Sequence, residues 1–422
     1  MNDVSTIRCE IIAVGSELLT PHFLDTNSLF ITEKLYDLGI ETAFKTVVGD
    51  SSKDLQQSFK TAFSRARLVV TIGGLGPTRD DLTRETLADT LHKNLIYHPD
   101  ILDSIRMRFQ RHGLKMSPSN KKQAYIPEGA EILDNPNGTA PGIYMEENGR
   151  IVVLLPGPPK ELRPMFSGKV IPRLEKFRQG FSFRRVLRVT GPGESAIETK
   201  ISDLYPEDPQ INVTMLASPG EIDIHLLAHS AESSEAAKEK ILALSQKIES
   251  RLGERIYSTD GKPLEEIIGD RLRQRGETLA VAESCTGGLL GHRITNVPGS
   301  SDYFLQGIQS YSNEAKQQRL GISSDLIDKY GAVSSQTAEA MADGIRRSSG
   351  ADYGLAITGI AGPGGGTTEK PVGLVYTALS WDNGVQVQKN IFFGDRETVK
   401  FRSSQKSLDM LRVHLIHRAK GD

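Results

Sequence analysis

The feature that most limits the folds open to this chain is a repeated pairing. A short, nearly uninterrupted apolar run stops at glycine, and a segment with apolar residues at helical spacing follows. "IRCEIIAVG" at 7–15 is the first such run, and "NSLFITEKLYDLGIE" behind it has the helical spacing and a glycine stop. "TAFKTVVGD" and "ARLVVTIGGLGPT" repeat the strand pattern, and "GRIVVLLPGPPKELRPMF" closes the unit near residue 166. Strands alternating with helices imply a parallel sheet with functional loops at the strands' C-terminal ends.

With 422 residues the chain exceeds one ordinary core and reads as two or three domains. From about residue 182 the texture changes: "FRRVLRVTG" and "EIDIHLLAHS" read as strands, "SAIETKISDLY" and "EAAKEKILALSQKIESRL" as helices. This predicts a small α+β module, comparable with split βαβ or KH-type folds. "GPGE" at 191–194 follows a strand and is not the GXXG clamp of an RNA-binding KH domain. After the polar turn "STDGKPLEE", the helix "LEEIIGDRLRQRG" opens a third unit, "ETLAVAE" is its first strand, and the helix "DMLRVHLIHRAK" ends the chain. The expected fold class is α/β with three domains, at 1–170, 171–257 and 258–422.

A net charge of -2, from 51 basic and 53 acidic residues, offers no basic excess for gripping phosphate backbones, so direct nucleic-acid binding is disfavoured. The start "MNDVSTIRCEIIAVGSELL" fits neither a signal peptide nor a membrane span, and no later run is long enough to cross a membrane. The only cysteines, Cys9 and Cys285, form no disulfide framework, which predicts a reducing, cytoplasmic setting. The histidine pairs His225/His229 and His414/His417 read as strand and terminal-helix positions rather than metal ligands.

Chemistry concentrates in four loops of the third unit: "AESCTGG" (282–288), "GSSDYFLQGIQSYSNEAK" (299–316), "AITGIAGPGGGTTEKPVG" (356–373) and "FFGDRE" (392–397). In the first, Ser284, Cys285 and Thr286 precede Gly287 and Gly288 at a strand-to-helix transition, where free backbone N–H groups suit an oxyanion. A nucleophilic serine needs a base. His292 lies along the same helix and the other loops have no histidine, so Lys316 is the candidate, provided burial or a neighbouring cation lowers its pKa. Arg396 is either that cation or a ligand for a substrate phosphate. Cys285 is the rival nucleophile, but strand-like alternation turns it away from the side that Ser284 faces. "GPGGGTTEKPVG" fails the Walker A pattern.

In the first unit, "TIGGLGPTRDDLT" at 71–83 sets a glycine-rich turn after a strand with Asp80 and Asp81 beyond it. Gly74 and Gly76 permit close approach of a phosphate, and the aspartates could hold a hard divalent cation. Asp25 and Glu17 follow the first strand and are expected near the same edge.

"AESCTGG", "GSS", "YSNEAK", "GAVS", "TGIAGPGGGTTEKPVG" and "GDR" together resemble, in order and spacing, the nicotinamide-nucleotide amidohydrolase domain of the CinA family over about 263–422. "GSELL", "DTN", "GGLGPTRDDLT", "NPNGTAPG" and "LLPGPPKEL" resemble that family's N-terminal molybdopterin-binding-like domain. The resemblance implies a bifunctional enzyme. Its C-terminal domain would hydrolyse nicotinamide mononucleotide to nicotinic acid mononucleotide and ammonia without a cofactor. Its N-terminal domain would cleave ADP-ribose to AMP and ribose 5-phosphate with a divalent metal of the magnesium or cobalt class. Carried onto this sequence, it implies Ser284 as nucleophile and Lys316 as base, with Tyr311 and Thr358 in the catalytic group. Ser301, Arg396, Thr286 and Gly287 would bind the first substrate; Gly74, Gly76, Thr78, Asp25 and Thr139 the second; Asp80 and Asp81 the metal. A homodimer is the implied assembly. The alternatives are a competence- or damage-associated scaffold, or a molybdopterin-binding module.

Overall fold

The computed structural model describes residues 7–191 and 193–418. The first residues of the leader reading, Pro192 of "GPGE" and the last two residues of the expected terminal helix lie outside them. Contacts divide the chain into two units, Met1–Phe183 with Ala228–Glu239, and Arg184–Leu227 with Lys240–Asp422. Among the described residues no helix is long and apolar enough to cross a membrane.

The N-terminal strands are β1 (Arg8–Val14), β2 (Glu41–Val48), β3 (Leu68–Ile72), β4 (Leu95–Tyr97), β5 (Tyr125–Pro127), β6 (Glu131–Leu133), β7 (Gly142–Glu147) and β8 (Arg150–Leu155). Six form one sheet in the order β2-β1-β3-β8-β7-β6, its first four strands parallel, while β4 and β5 pair separately. Helices α1 (Thr26–Tyr36), α2 (Ser52–Arg65), α3 (Thr83–Leu91), α4 (Pro99–Arg111), α5 (Pro159–Met165) and α6 (Ile171–Leu174) flank it. The central strands β3 and β8 are almost wholly apolar because both faces are covered, while the edge strand β2 is only partly covered. Ile11, Val70 and Leu155 pack with Ile31 and Leu35 of α1, while their neighbours Ile12, Val69 and Leu154 pack on the other face with Phe59 of α2. Burying each such side chain contributes about 1.5–3 kcal/mol, so the two faces hold the three layers together. The chain order reverses between β1 and β3, which opens a ligand crevice at their C-terminal ends.

The middle module comprises β9 (Phe181–Thr190), α7 (Glu194–Ile201), β10 (Ile211–Ser218), β11 (Glu221–Ser230), α8 (Ser234–Leu252) and β12 (Ile256–Ser258), with strand order β10-β11-β9-β12. The two long strands and both helices fall where the apolar pattern puts them. The edge strand β10 is not singled out from the sequence, although "INVTM" alternates and its burial alternates with it; none of its side chains is fully buried.

The C-terminal unit contains α9 (Leu264–Arg275), β13 (Leu279–Glu283), α10 (Leu289–Thr295), β14 (Phe304–Gln309), α11 (Asn313–Leu320), α12 (Ser324–Tyr330), α13 (Ser335–Ser349), β15 (Tyr353–Gly359), β16 (Leu374–Trp381), β17 (Gly384–Ile391) and α14 (Arg396–Arg418). Its sheet runs β14-β13-β15-β16-β17, with β13 parallel to both neighbours and β16 and β17 antiparallel. All five residues of β13 are buried. Leu279 and Val281 face a core with α9, α10 and α14, while Ala280 and Ala282 face α13. "GSSDYFLQGIQSYSNEAK", read as one loop, contains the edge strand β14 and the start of α11; the terminal helix begins at Arg396, well before "DMLRVHLIHRAK".

Candidate functional site

β13 delivers Ser284 to its sheet's reversal of strand order, between β13 and β15. The Ser284 N–H donates to the Ile357 carbonyl of β15 at 3.0 Å, and Ser310 N–H donates to the Glu283 carbonyl at 2.8 Å. Three strand ends are thereby stitched together, and the segments leaving them converge. Ser310 and Ser312 lead into α11, where Ser312 caps the helix and Lys316 lies one turn inside.

Lys316 is 1% exposed, and its Nζ lies 3.1 Å from Ser284 Oγ, 2.7 Å from the Ser310 carbonyl and 3.2 Å from the Tyr311 carbonyl. No carboxylate lies within ion-pair distance of it among the described residues. Burial lowers its pKa below the usual lysine range. Of the two expected causes, burial is the one the structure supplies. Arg396 instead donates to the Gly362 carbonyl at 2.7 Å and reaches the Tyr311 hydroxyl at 3.5 Å. A neutral amine has two hydrogens and one lone pair. Nζ donates to two carbonyls and to the serine Oγ; once deprotonated, it keeps two hydrogens for the carbonyls and has a lone pair for the serine hydroxyl.

The loop after Ser284 owes its shape to Glu283, a residue the sequence reading passed over. Its carboxylate is 2% exposed and accepts from Gly288 N–H at 3.1 Å, Leu290 N–H at 3.0 Å and Gly291 N–H at 2.8 Å. Glu283 therefore caps α10, and Ser284 does not; an acidic residue closing a buried strand immediately before the glycine pair was the available signal. Gly287 and Gly288 turn the chain with φ of 62° and 95°. With Gly287 N–H bonding the Ser284 carbonyl and Leu289 N–H the Thr286 carbonyl, the N–H groups of Cys285 and Thr286 are the ones in this loop that no other described residue engages. Cys285 packs into the hydrophobic core, and burial pushes its thiol up to about 12. It is protonated and inaccessible at neutral pH.

The remaining expected residues divide. Thr358 is 1% exposed and its hydroxyl donates to the Ala332 carbonyl at 2.7 Å, tying β15 to the "GAVS" segment. Thr286 is buried and its hydroxyl has no hydrogen-bond partner. Tyr311 is exposed beside Arg396, and Gly287 lies within the loop itself. Ser301 departs from expectation. It precedes β14, which runs parallel to β13, so it sits at the opposite end of that strand, about 20 Å from the Ser284 edge at ~3.3 Å per residue.

In the N-terminal crevice, Gly73 follows β3 with φ of 94°, and a Cβ there would lie 2.4 Å from the Val14 carbonyl at the end of β1. Gly74, with φ of 67°, and Gly76 are filled against Thr83 and Asp81 respectively. Asp81 accepts from the Thr78 N–H at 2.8 Å and from the Thr78 hydroxyl, while hydrogen bonds from Thr78 and its own backbone hold Asp80 below the usual carboxylate range. Asp25 caps α1 by accepting from Ser28. Glu17 folds back over Gly15. Thr139 accepts from Gln123 at 3.2 Å. Among the described residues no three His, Cys, Asp or Glu side chains gather as a cation site. Asp80 and Asp81 stay adjacent beyond the glycine turn, with Asp81 and Asp25 each accepting local hydrogen bonds. Two unforeseen residues are Lys122, which donates to the Thr78 and Asp81 carbonyls, and Arg84, fully buried with no hydrogen-bond partner on any guanidinium nitrogen. Of the paired histidines, His229 hydrogen-bonds Ser182 at 3.2 Å, and His414 packs edge-on to Tyr353 and tilted against Trp381.

Three family descriptions match in succession: a probable molybdopterin binding domain over 10–176, the KH domain of damage-inducible protein CinA over 184–258, and the CinA C-terminal domain over 261–415. The putative competence-damage inducible protein of Clostridium acetobutylicum is 44% identical over 411 residues, 97% of this chain and 100% of its own length. A CinA-like protein of Dictyoglomus turgidum has the same identity and coverage, 44%, 97% and 100%. The crystal structure of competence/damage inducible protein CihA from Agrobacterium tumefaciens is 38% identical over 36% of this chain and 96% of its own, with a TM-score of 0.35. With all three domains in order and near-complete alignment to these relatives, the chain belongs to the CinA family.

Proposed function

We propose that the C-terminal domain is a serine–lysine amidohydrolase that converts nicotinamide mononucleotide to nicotinic acid mononucleotide and ammonia. The observation that carries this is the buried Lys316 amine, 3.1 Å from Ser284 Oγ, with two backbone carbonyls to take its hydrogens. Lys316 Nζ accepts the serine proton as Oγ attacks the carboxamide carbon. The oxyanion is met by the N–H groups of Cys285 and Thr286. As the tetrahedral species collapses, the C–N bond breaks and the proton on Lys316 passes to the leaving nitrogen, which departs as ammonia. A water then gives its proton to Lys316 and attacks the acyl ester; the proton returns to Ser284 Oγ as the carboxylate product leaves. The test is ammonia release from nicotinamide mononucleotide by the wild type, Ser284→Ala and Lys316→Ala. Release by wild type alone supports the dyad. No release from folded wild type rejects it and favours a scaffold role.

For the N-terminal domain we propose a phosphate-bearing nucleotide as ligand, with ADP-ribose hydrolysis as the activity. The support is the glycine turn at the strand-order reversal, together with the buried Arg84 guanidinium and the Lys122 ammonium, which share the Glu85 carboxylate at 3.6 Å each. No step through a metal is derived. AMP formation from ADP-ribose, measured with magnesium, with cobalt and with chelator, tests both the activity and its metal dependence. A pterin retained on purification would point to the molybdopterin module instead. The homodimer belongs to the same proposal and is tested by light scattering.

A further inference from the structure

Arg396 and Gln405 are nine residues apart on α14, so at about 100° per residue they stand on opposite faces of that helix. The Arg396 face borders Tyr311 and the Ser284 site. The Gln405 face closes a cavity of ≈ 430 Å³ with the middle module, lined by Glu194, Glu221, Phe392, Arg402, Gln405 and Lys406, all within one compact unit of the chain. A Cβ on Gly220 would lie 3.4 Å from the Gln405 Cγ, so the turn before β11 rests directly on this face. Arg402 donates from Nη1 to the Phe393 carbonyl at 2.8 Å, while its Nε is buried without a partner. Lys406, one helical turn further on, has no hydrogen bond or ion pair among the described residues. Glu221 neutralises neither cation, because its carboxylate accepts from the Tyr257 hydroxyl at 2.6 Å and from Gln405 Nε2 at 3.2 Å, with Arg188 3.9 Å away. Glu194 is exposed at the head of α7, and Phe392 is half-buried.

We propose that this cavity is a regulatory site for a nucleoside monophosphate, separate from the Ser284 site. Arg402 Nε and Lys406 Nζ bind the phosphate, Glu194 accepts from the ribose hydroxyls, and the Phe392 ring packs on the base. The cavity falls in the roughly 300–1,000 Å³ range of small-molecule sites. Two links run from it to the nucleophile. Arg402 holds the carbonyl of Phe393, three residues before Arg396. Gln405 Oε1 accepts from Arg293 Nη2 at 2.6 Å, and Arg293 lies on α10, the helix that Glu283 caps directly before Ser284. An occupant that engages Arg402 therefore restrains the loop leading to Arg396 and favours the substrate-bound arrangement. The regulation rests on the amidohydrolase assigned to Ser284 and Lys316, whereas the binding does not.

The probe is AMP, which has no carboxamide for Ser284 to attack. Its binding to the full-length protein is measured by calorimetry in wild type, Lys406→Glu and Glu194→Gln, with ribose 5-phosphate, adenosine and inorganic phosphate as separate arms. Ammonia release from nicotinamide mononucleotide is followed with and without AMP. Lys406→Glu should weaken AMP at this site about tenfold or more and leave any AMP held by the N-terminal domain untouched. Glu194→Gln should weaken AMP and ribose 5-phosphate but not inorganic phosphate. Saturating AMP should lower KM about fivefold in wild type and not in Lys406→Glu. Identical AMP stoichiometry and affinity in wild type and both variants overturns the site. An unchanged or raised KM with AMP bound overturns the regulatory role, a rise marking competition at the Ser284 site. Lys406-dependent binding in a wild type that releases no ammonia rejects the amidohydrolase and keeps the site.

Discussion

Replacing Glu283 with glutamine tests whether a buried carboxylate, rather than the glycines alone, holds the nucleophile loop. In the native loop Oε2 accepts from Gly288 and Leu290 and Oε1 accepts from Gly291, at 2.8–3.1 Å. A glutamine keeps one acceptor oxygen and presents an NH2 to the remaining backbone donor. The best rotamer preserves the Gly288 and Leu290 bonds and strands the Gly291 N–H against another donor. Leaving a buried donor unsatisfied costs about 1–3 kcal/mol. For a unit of this size that lowers the unfolding temperature by roughly 2–4 °C per kcal/mol, or about 4–8 °C at the middle of the range. Because Ser284 directly follows Glu283, turnover should fall at least about tenfold, a Ser284–Lys316 misplacement of under an ångström being enough. Differential scanning calorimetry of the full chain and an ammonia assay check both expectations. Wild-type unfolding together with wild-type turnover in Glu283→Gln would refute the capping role.

Activity should rise with pH through the Lys316 pKa and then level off, with the midpoint below 10.5, the ordinary lysine value, because burial lowers it. The base form is the deprotonated one, so the low-pH limb is the inactive limb, and a kcat/KM profile checks the sign. Stability follows the same direction. Lys316 binds a proton more weakly when folded than when unfolded, so its protonation opposes folding, and stability climbs between the lowered pKa and the unfolded value near ~10.4. Cys285→Ala should keep most ammonia release and resist thiol labelling differences in the native state, since that thiol is buried; loss of activity equal to that of Ser284→Ala would transfer the nucleophile to Cys285. Gly73→Ala should destabilise the N-terminal domain by roughly 1–3 kcal/mol or more, through positive φ and a clash with the Val14 carbonyl; an unchanged chemical-denaturation midpoint would contradict the close approach.

The order of the main strands and helices could be read from the sequence because their apolar periods are local and unambiguous: "IRCEIIAVG", "ARLVVTIGG" and "ETLAVAE" each become a strand ending at a loop that holds candidate site residues. The candidacy of Ser284 and Lys316 was equally visible, since Ser284 directly follows such a strand and Lys316 lies in the segment that follows the next one. What periodicity could not supply was placement across the sheet. That β14 runs parallel to β13 puts Lys316 against Ser284 and sends Ser301 to the far edge, and no local pattern encodes strand direction. Partner choice was equally hidden: Asp81, Asp25 and Glu283 are all carboxylates after strands, but only the fold decides that they take backbone and hydroxyl donors. The sequence determined which groups exist and which segments are helix or strand, because those depend on neighbours a few residues away. Tertiary structure alone decided the Lys316 environment and the burial of Cys285, because burial and charge pairing arise from residues distant in the chain.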